Sequence, residues 1–367
     1  MKVLLSVASM IGGGTARVAQ QLCNRLSERN YDIYLAFDKN YNLDYDLSPQ
    51  ITQLHCPLFI SKNKLSNLFH YFQTKRAIVK HVRPDVIIAF SGSHKAITIL
   101  ATLDMKIPII ASEHSMLRRS MSLYEKLDKY YFNKLAAATT VLTTDDIEVI
   151  GNRLKRKYLM PNPCTYNVLK EDRNERRKKN ILCAGWLHCW HIKGFDNIIR
   201  IWSEIHSIFP DWILDFVGGD MNEGLDTLKQ IAIENHCSDS INFIGFRKDI
   251  DKVMQESSIF CLCSRQEGFS LALLEAMSQG CACVAFELPG PRDMITNEVS
   301  GILVENQNLE VIGNALVRVM SDEGLRKRLS IGGKEEVKRF NVDVIVDKWE
   351  DLLKQVAYPL IHDESKQ

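Results

Sequence analysis

Short apolar runs alternate with amphipathic segments along this 367-residue chain, and the alternation occurs twice. In the first half, strands are predicted at Lys2–Ala8, Ile33–Phe37, Asp85–Phe90, Ile107–Ser112 and Ala138–Thr143. A helix is predicted over Thr15–Arg29, because Val18, Leu22 and Leu26 recur on one face. Strands that alternate with helices favour a mostly parallel sheet that is covered on both faces.

The second half repeats the pattern after a proline-rich break. Strands are predicted at Asn180–Cys183, Ile213–Val217, Ile241–Ile244, Ser258–Cys263 and Cys281–Ala285, with helices at Phe195–His206, Asp226–Asn235, Ile250–Gln255 and Ser270–Gln279. The break contains Pro161 and Pro163 and is followed by a charged run, Lys170–Lys179. We therefore predict two Rossmann-like α/β domains, residues 1–162 and 163–345, facing each other across a cleft. Residues 346–367 are predicted to form a helix that packs back toward the first domain.

Composition excludes several classes of protein. Hydrophobic residues make up 46% and charged residues 25%, which is typical of a globular chain. The ten cysteines are scattered, and no histidines accompany them at zinc spacing, so we expect reduced thiols and no metal site. The apolar N-terminal run passes directly into a glycine loop, and no stretch approaches the roughly 20 apolar residues of a membrane span. These features favour a cytoplasmic protein.

The net charge of +1 conceals an asymmetry between the two halves. Residues 1–170 hold 23 Lys and Arg against 13 Asp and Glu, whereas the remainder holds 23 against 32. A basic half predicts an anionic partner, which could be phosphorylated lipid, an anionic membrane or nucleic acid. Two basic amphipathic segments, Lys62–Arg83 and Met116–Leu135, could rest on an anionic membrane or simply face the core.

The segment Ser264–Gly280 is the most informative about function. A predicted strand ends at Cys263, a loop carries Glu267, and a helix starts near the N-capping Ser270. The backbone N–H groups at the start of that helix form an anion site that suits a diphosphate. Glu267 could reach the group attached to the phosphate, and Glu275 could bind vicinal hydroxyls such as those of a ribose. Alternatively, the two are a loop acid and a solvated helix residue.

An ordered set of further motifs accompanies this segment over nearly the whole chain. They are Gly12-Gly-Gly-Thr-Ala-Arg17, Ser112-Glu-His-Ser115, Asn162-Pro163, Lys193-Gly-Phe195, Val217-Gly-Gly219, Phe243-Ile-Gly245, Pro289-Gly-Pro-Arg-Asp-Met-Ile295 and Gly301-Ile-Leu-Val304. Together with the two glutamates, they resemble the retaining glycosyltransferases of family 4, which have the two-domain GT-B fold. The resemblance implies an acceptor-side first domain and a second domain that binds a nucleotide sugar.

The resemblance also assigns roles to particular residues. It implies catalytic roles for Glu267 at the donor sugar, Lys193 at the departing diphosphate and His114 from the first domain. Donor-binding residues are expected at Gly13, Gly14, Arg265, Gly268, Phe269, Ser270, Leu271 and Glu275. This chain departs from the family where an arginine usually follows the strand-end glycine, since Trp186 follows Gly185. Arg265, His188 and His191 are the candidates for the missing cation, and Trp186 is expected either to stack on a base or sugar or simply to pack.

The resemblance implies retaining transfer of a hexosyl or N-acetylhexosaminyl unit from a nucleotide sugar, with a UDP-sugar expected. The expected acceptor is a lipid-linked glycan or a polysaccharide in surface-glycan assembly, met at the inner membrane surface, and no metal or cofactor is expected. A sugar-nucleotide epimerase and a non-catalytic sugar-binding protein remain alternatives. A nucleic-acid partner is not expected, because no base-reading motif accompanies the basic patch and the acidic second half would repel the backbone.

Overall fold

The computed structural model describes residues 1–11, 13–38, 46–57, 63–90, 92–118, 120–170 and 177–358. Gly12, Lys62, Arg119 and most of the charged run after Lys170 lie outside the described residues. The chain divides into two compact units. Unit 1 comprises Met1–Pro163 with Val342–Gln367, and unit 2 comprises Cys164–Asn341.

Unit 1 is a parallel α/β domain with seven strands. Its strands are β1 Lys2–Ser9, β2 Asp32–Asp38, β3 Thr52–His55, β4 Val86–Phe90, β5 Ile109–Ser112, β6 Ala138–Val141 and β7 Lys157–Leu159. Its helices are α1 Gly14–Glu28, α2 Lys64–Val82, α3 Ser93–Thr102, α4 Leu123–Tyr130, α5 Thr144–Ile150 and the last helix of the chain, α14 Val342–Ala357. The sheet order β3-β2-β1-β4-β5-β6-β7 reverses direction between β1 and β4, which is where ligands of such folds bind.

Helix α14 joins unit 1 through charged contacts with the end of α1. Arg29 donates to Asp347 over 2.5 Å and to Glu350 over 2.9 Å. Hydrogen bonding to Asp347 raises the pKa of the Arg29 guanidinium. The apolar face of α14 is buried, with Ile345 and Trp349 almost inaccessible, so the last helix belongs structurally to the first half of the chain.

Unit 2 is a second parallel α/β domain, with six strands. Its strands are β8 Lys178–Ala184, β9 Ile213–Val217, β10 Ile241–Gly245, β11 Ser257–Leu262, β12 Ala282–Phe286 and β13 Ile302–Val304. Its helices are α6 Trp190–Lys193, α7 Phe195–Ile205, α8 Gly224–Glu234, α9 Ile250–Glu256, α10 Leu271–Ser278, α11 Pro289–Met294, α12 Leu309–Ser321 and α13 Glu323–Glu336. The order β10-β9-β8-β11-β12-β13 places the reversal between β8 and β11.

The predicted fold class, two α/β domains with parallel sheets, is confirmed. Three strands were not predicted, namely β3, β7 and β13, and the first two carry exposed or half-buried residues. All three lie at a sheet margin. β3 and β7 need no continuous apolar run there, because one side is open, and β13 is only three residues long. The Met116–Leu135 segment is not one helix. A capping box formed by Ser122 and Glu125 starts α4, and a 3-10 turn at Phe132–Leu135 follows it.

All ten cysteines are free thiols, and all except Cys189 are buried. Within the described ranges, no helix is long and apolar enough to cross a bilayer. The same ranges contain no group of three or more His, Cys, Asp or Glu side chains arranged to hold a metal ion.

Candidate functional site

In the sheet of unit 2, the strand order reverses between the parallel neighbours β8 and β11. Two of the predicted catalytic residues follow the carboxyl ends of these strands. Lys193 follows β8, and Glu267 follows β11. The Lys193 Nζ donates to Glu267 Oε2 over 2.8 Å, although 74 residues separate them. The charge of Glu267 raises the pKa of Lys193, against the opposing effect of burial. A lysine and a carboxylate therefore meet at the position where α/β folds bind ligands.

The backbone just after Lys193 lies very close to the end of β11. Gly194 has a left-handed conformation, with φ 66°. A Cβ atom placed on Gly194 would lie 1.9 Å from the carbonyl oxygen of Cys263. The Cys263 thiol also donates to the Gly194 carbonyl over 3.0 Å. Glycine is therefore required here, and this close approach brings the Lys193 segment against the loop of Glu267.

Arg265 links the same two segments. Its guanidinium donates to both carboxylate oxygens of Asp196, over 2.6 and 2.8 Å. It also donates to the Asn197 side chain over 2.8 Å and to the His191 carbonyl. The Arg265 backbone N–H donates to Ile192 over 2.8 Å. Hydrogen bonding to Asp196 raises the pKa of Arg265, so this guanidinium is engaged in holding the Lys193 segment in place.

The contacts of Arg265 with Asp196, Asn197 and the His191 carbonyl are called here the Arg265 clamp. Removal of the Asp196 carboxylate tests this clamp. Asp196 is 3% exposed, so we expect Asp196→Ala to lower the free energy of unfolding by about 2 kcal/mol, because Arg265 loses a charged, hydrogen-bonded partner. Urea denaturation measures the change. The control is Asp249→Ala, which removes a similar bidentate pair with Arg247 at the exposed surface and should change stability little. Equal urea midpoints for Asp196→Ala and wild type would contradict the clamp.

The backbone that is predicted to bind an anion lies at the start of α10. Ser270 caps the helix by accepting from the Leu273 N–H over 3.3 Å. The first N–H groups of a helix have no acceptor within the helix, and in α10 they belong to Leu271 and the residues after it, next to the loop of Gly268. A Cβ on Gly290 would lie 2.4 Å from the Gly268 carbonyl, so the start of α11 lies directly against this loop. Glu275 is 3% exposed, which rules out a solvated helix residue.

Trp186, which stands where the family usually has arginine, packs against the neighbouring loop. A Cβ on Gly219 would lie 2.6 Å from its ring, and the Leu187 N–H donates to the Gly219 carbonyl over 2.8 Å. The His188 ring lies 5.5 Å from the indole, and its Nδ1 is 3.9 Å from the Asp220 carboxylate. Trp186 is half-buried, so its indole packs in part against protein and is in part accessible to solvent.

Unit 1 has its own cavity at the corresponding reversal in its sheet. A cavity of about 270 Å³ lies beyond β1 and is lined by Gly13, Gly14 and Phe90, among others. The His114 ring stacks on Phe90 with 4.8 Å between centroids, and its Nε2 lies 2.9 Å from Ser112 Oγ. Burial lowers the pKa of His114 to about 4, so the imidazole is neutral at pH 7. The structure thus groups Gly13, Gly14 and His114 around one phenylalanine.

A buried charge network fixes the backbone next to His114. Glu113 accepts from Lys95, from Lys129 over 3.0 Å and from Asn133 over 2.9 Å. Burial alone would raise the pKa of Glu113, but the two lysine charges and the hydrogen bonds hold it well below its usual range. Sequence reasoning missed this network and the Asp196–Arg265 contact, although Glu113 lies within a recognised motif and Asp196 directly follows one.

Two family models match the chain in succession. The model described as Glycosyltransferase Family 4 matches residues 12–154, and the model described as Glycosyl transferases group 1 matches residues 169–336. With the two-domain fold, these matches define a glycosyltransferase of the GT-B type. The chain belongs to glycosyltransferase family 4.

Relatives in sequence and structure extend over almost the whole chain. A glycosyltransferase of Haemophilus influenzae is 27% identical, with 93% of this chain and 96% of that protein covered. An α-1,4-N-acetyl-D-galactosaminyltransferase of Campylobacter jejuni, whose name gives a diphosphoundecaprenol-linked saccharide as acceptor, is 24% identical, with 97% and 99% covered. Among solved structures, Anabaena HepE in complex with UDP has a TM-score of 0.78 at 16% identity, with 97% and 100% covered.

Proposed function

We propose that this glycosyltransferase moves a hexosyl or N-acetylhexosaminyl unit from a nucleotide sugar, with UDP as the nucleotide, to a lipid-linked or polysaccharide acceptor in surface-glycan assembly. The observation that carries the proposal is the Lys193–Glu267 pair at the sheet reversal of unit 2, in a chain of family 4. The UDP complex of a structural neighbour and the lipid-linked acceptor in a relative's name support the choice of donor and acceptor.

In the proposed donor site, different residues of unit 2 contact different parts of the nucleotide sugar. The N–H groups of Gly268, Phe269, Ser270 and Leu271 bind the diphosphate at the start of α10. Glu275, buried on the second turn, accepts hydrogen bonds from the ribose hydroxyls. Lys193 exchanges its contact with Glu267 for the departing diphosphate, whose negative charge grows as the glycosidic bond breaks. Glu267 is then available to contact the donor sugar.

Arg265 stays in the proposal as a residue that positions this donor site. Its guanidinium already donates to Asp196, Asn197 and the His191 carbonyl. Its proposed role in donor binding is therefore to hold the loop of Lys193 in place. In unit 1, Gly13 and Gly14 allow close backbone approach of a ligand. We assign His114 to donor-sugar recognition as a neutral imidazole, which can donate one hydrogen bond and accept another.

We propose a retaining, metal-independent reaction, with the acceptor met at the inner face of the membrane. The α-1,4 linkage in a relative's name supports retention, because common UDP-hexose donors are α-linked. The cationic and amide groups around Lys193 supply the charge stabilisation that a metal ion provides in other enzymes. The leaving phosphate then takes the proton of the acceptor hydroxyl.

The proposal is tested by a panel of UDP-, GDP- and ADP-sugars. We expect one UDP-sugar to bind and to be hydrolysed slowly, with EDTA leaving both unchanged. Glu275→Gln should weaken binding of that donor by about tenfold to a hundredfold, because a charged hydrogen bond to the ribose is lost. Calorimetry measures binding, and released UDP measures hydrolysis.

The matched control is Glu287→Gln, an exposed glutamate of unit 2 that pairs with Arg292 at the surface. It should bind the donor like wild type. If no nucleotide sugar bound, the non-catalytic alternative would replace the proposal, and the packing of Trp186 would be examined first. If a sugar nucleotide were converted into its epimer without acceptor, the epimerase alternative would replace it.

A further inference from the structure

Helix α4 and the 3-10 turn after it have their polar and apolar faces reversed relative to an ordinary surface helix. Asp128, Lys129 and Asn133 are buried, at 3–5% exposure. The opposite face presents large apolar side chains to solvent, which are Leu123 (76% exposed), Leu127 (39%), Tyr131 (62%) and Leu135 (51%). These four residues, spaced four apart in the sequence and all exposed along α4 and the 3-10 turn, are called here the apolar stripe.

The buried charges explain why this face points outward. Lys129 donates to Glu113 over 3.0 Å and to Ser115 over 2.8 Å. Asp128 pairs with Lys95 over 3.2 Å, and Asn133 donates to Glu113. Turning the segment to hide its leucines would leave buried charges without partners, at a cost of several kcal/mol each. The exposed apolar stripe is therefore a fixed feature of unit 1.

A basic pocket adjoins the stripe at its C-terminal end. Its cavity of about 560 Å³ is lined by Lys134, Arg153, Lys155 and Arg156, and its described lining residues include no carboxylate. These four cations are called here the basic pocket. Lys134 lies over the ring of Tyr131, with its Nζ 5.2 Å from the ring centroid, so the pocket and the stripe are in direct contact.

Carboxylates near these surfaces are engaged elsewhere. Glu125 closes the capping box of α4, and Asp145 accepts from Arg118 over 2.9 Å. Glu148 adds to the charge around Arg118. The local charge beside the apolar stripe is therefore positive, which is complementary to an anionic surface.

We propose that the apolar stripe and the basic pocket form a docking surface for an anionic lipid bilayer. The leucines and Tyr131 insert at the level of the headgroups, and the pocket binds lipid phosphate groups. The inference rests on the proposed function, in which the acceptor is lipid-linked, and identifies the part of the protein that meets the membrane. The pocket residues precede β6 and β7, whereas His114 follows β5, so lipid docking and sugar chemistry use opposite ends of the strands.

Vesicle co-sedimentation of the full chain, without any donor, tests the proposal. Wild type should bind phosphatidylcholine vesicles that contain phosphatidylglycerol, bind pure phosphatidylcholine weakly, and lose affinity as salt rises. Lys155→Gln/Arg156→Gln should lower the partition coefficient roughly 25-fold, because each basic residue near an anionic surface contributes about fivefold. Leu123→Ser/Leu135→Ser should lower it about tenfold, with a smaller change in salt dependence.

The control variant is Lys327→Gln/Arg328→Gln, an adjacent and exposed Lys-Arg pair in unit 2, which should bind vesicles like wild type. The proposal is overturned if wild type ignores phosphatidylglycerol, if the pocket variant binds like wild type, or if the control loses as much. Binding of free inorganic phosphate that is lost in the pocket variant, while vesicle binding by that variant is unchanged, would assign the pocket to a soluble anion and also overturn the proposal. Donor hydrolysis by the pocket variant should match wild type, so failure of docking and failure of the proposed transferase are separable.

Discussion

Lys193→Met should lower kcat for glycosyl transfer by about 10²–10³-fold and raise the KM for the donor only modestly. The ammonium group of Lys193 is proposed to neutralise charge that develops mainly in the transition state, and loss of one preorganised donor of this kind has effects of that size. Steady-state kinetics with the nucleotide sugar identified in the panel measure the two constants separately. Methionine preserves most of the side-chain volume, so the packing of residue 193 beside the Gly185 backbone is maintained.

The control is Lys178→Met, since Lys178 pairs with Glu256 over 2.7 Å, nearly the same distance as in the Lys193–Glu267 pair. It lies at the opposite end of β8 and should leave kcat unchanged. Lys193→Met leaves Glu267 without its ion pair, so a urea midpoint is measured for each variant and the assay is run where both are folded. A rise in KM alone would mean that Lys193 binds the donor ground state and the transition state equally.

Strands with a clear apolar run could be predicted from the sequence, whereas very short or mostly exposed edge strands could not. β4 runs over Val86–Phe90, one residue shorter than predicted, because a strand covered on both faces needs an uninterrupted apolar run. The edge strand Thr52–His55 consists mostly of exposed residues, so no hydrophobic pattern marks it. Its pairing with β2 depends on the tertiary arrangement, which a local pattern does not contain.

The candidate site could likewise be predicted only in part from the sequence. Lys193 and Glu267 could each be placed after its own strand, but their contact depends on β8 and β11 being neighbours in the sheet. Arg265 was predicted to bind the donor, and its engagement with Asp196 could not be anticipated, because a charged residue in a loop gives no local signal of its partner. The roles of these residues at the donor stay predictions.

The orientation of the Met116–Leu135 segment could not be read from its pattern either. Leucines and tyrosines at helical spacing predict an amphipathic helix, and the sequence left open whether that face meets the core or a membrane. The choice depends on Asp128 and Lys129, whose partners Lys95 and Glu113 lie on separate elements. The core-facing alternative is wrong for Leu123, Leu127 and Leu135, which are exposed while the buried face of α4 carries the charges.

Gly194→Ala should lower the free energy of unfolding of unit 2 by about 3–4 kcal/mol and reduce transfer activity as well. The added Cβ would lie 1.9 Å from the Cys263 carbonyl oxygen, and that neighbour is backbone, so the Lys193 segment must move away from β11. The left-handed φ of 66° adds a penalty of about 1–2 kcal/mol for any residue with a Cβ. Four of the five tryptophans lie in unit 2, so their fluorescence during urea unfolding reports mainly on this unit.

Gly313→Ala is the matched control for this glycine. Gly313 lies inside α12, where an added Cβ meets only the Ile201 side chain, at 3.4 Å. Alanine there should leave stability unchanged or raise it by up to about 1 kcal/mol, because glycine is the weaker helix former. If Gly194→Ala unfolded at the wild-type urea concentration, the end of β11 could retreat freely, and close backbone packing would not be what positions Lys193. A loss of stability in Gly194→Ala together with loss of kcat, and neither in Gly313→Ala, would tie the placement of the catalytic lysine to this contact.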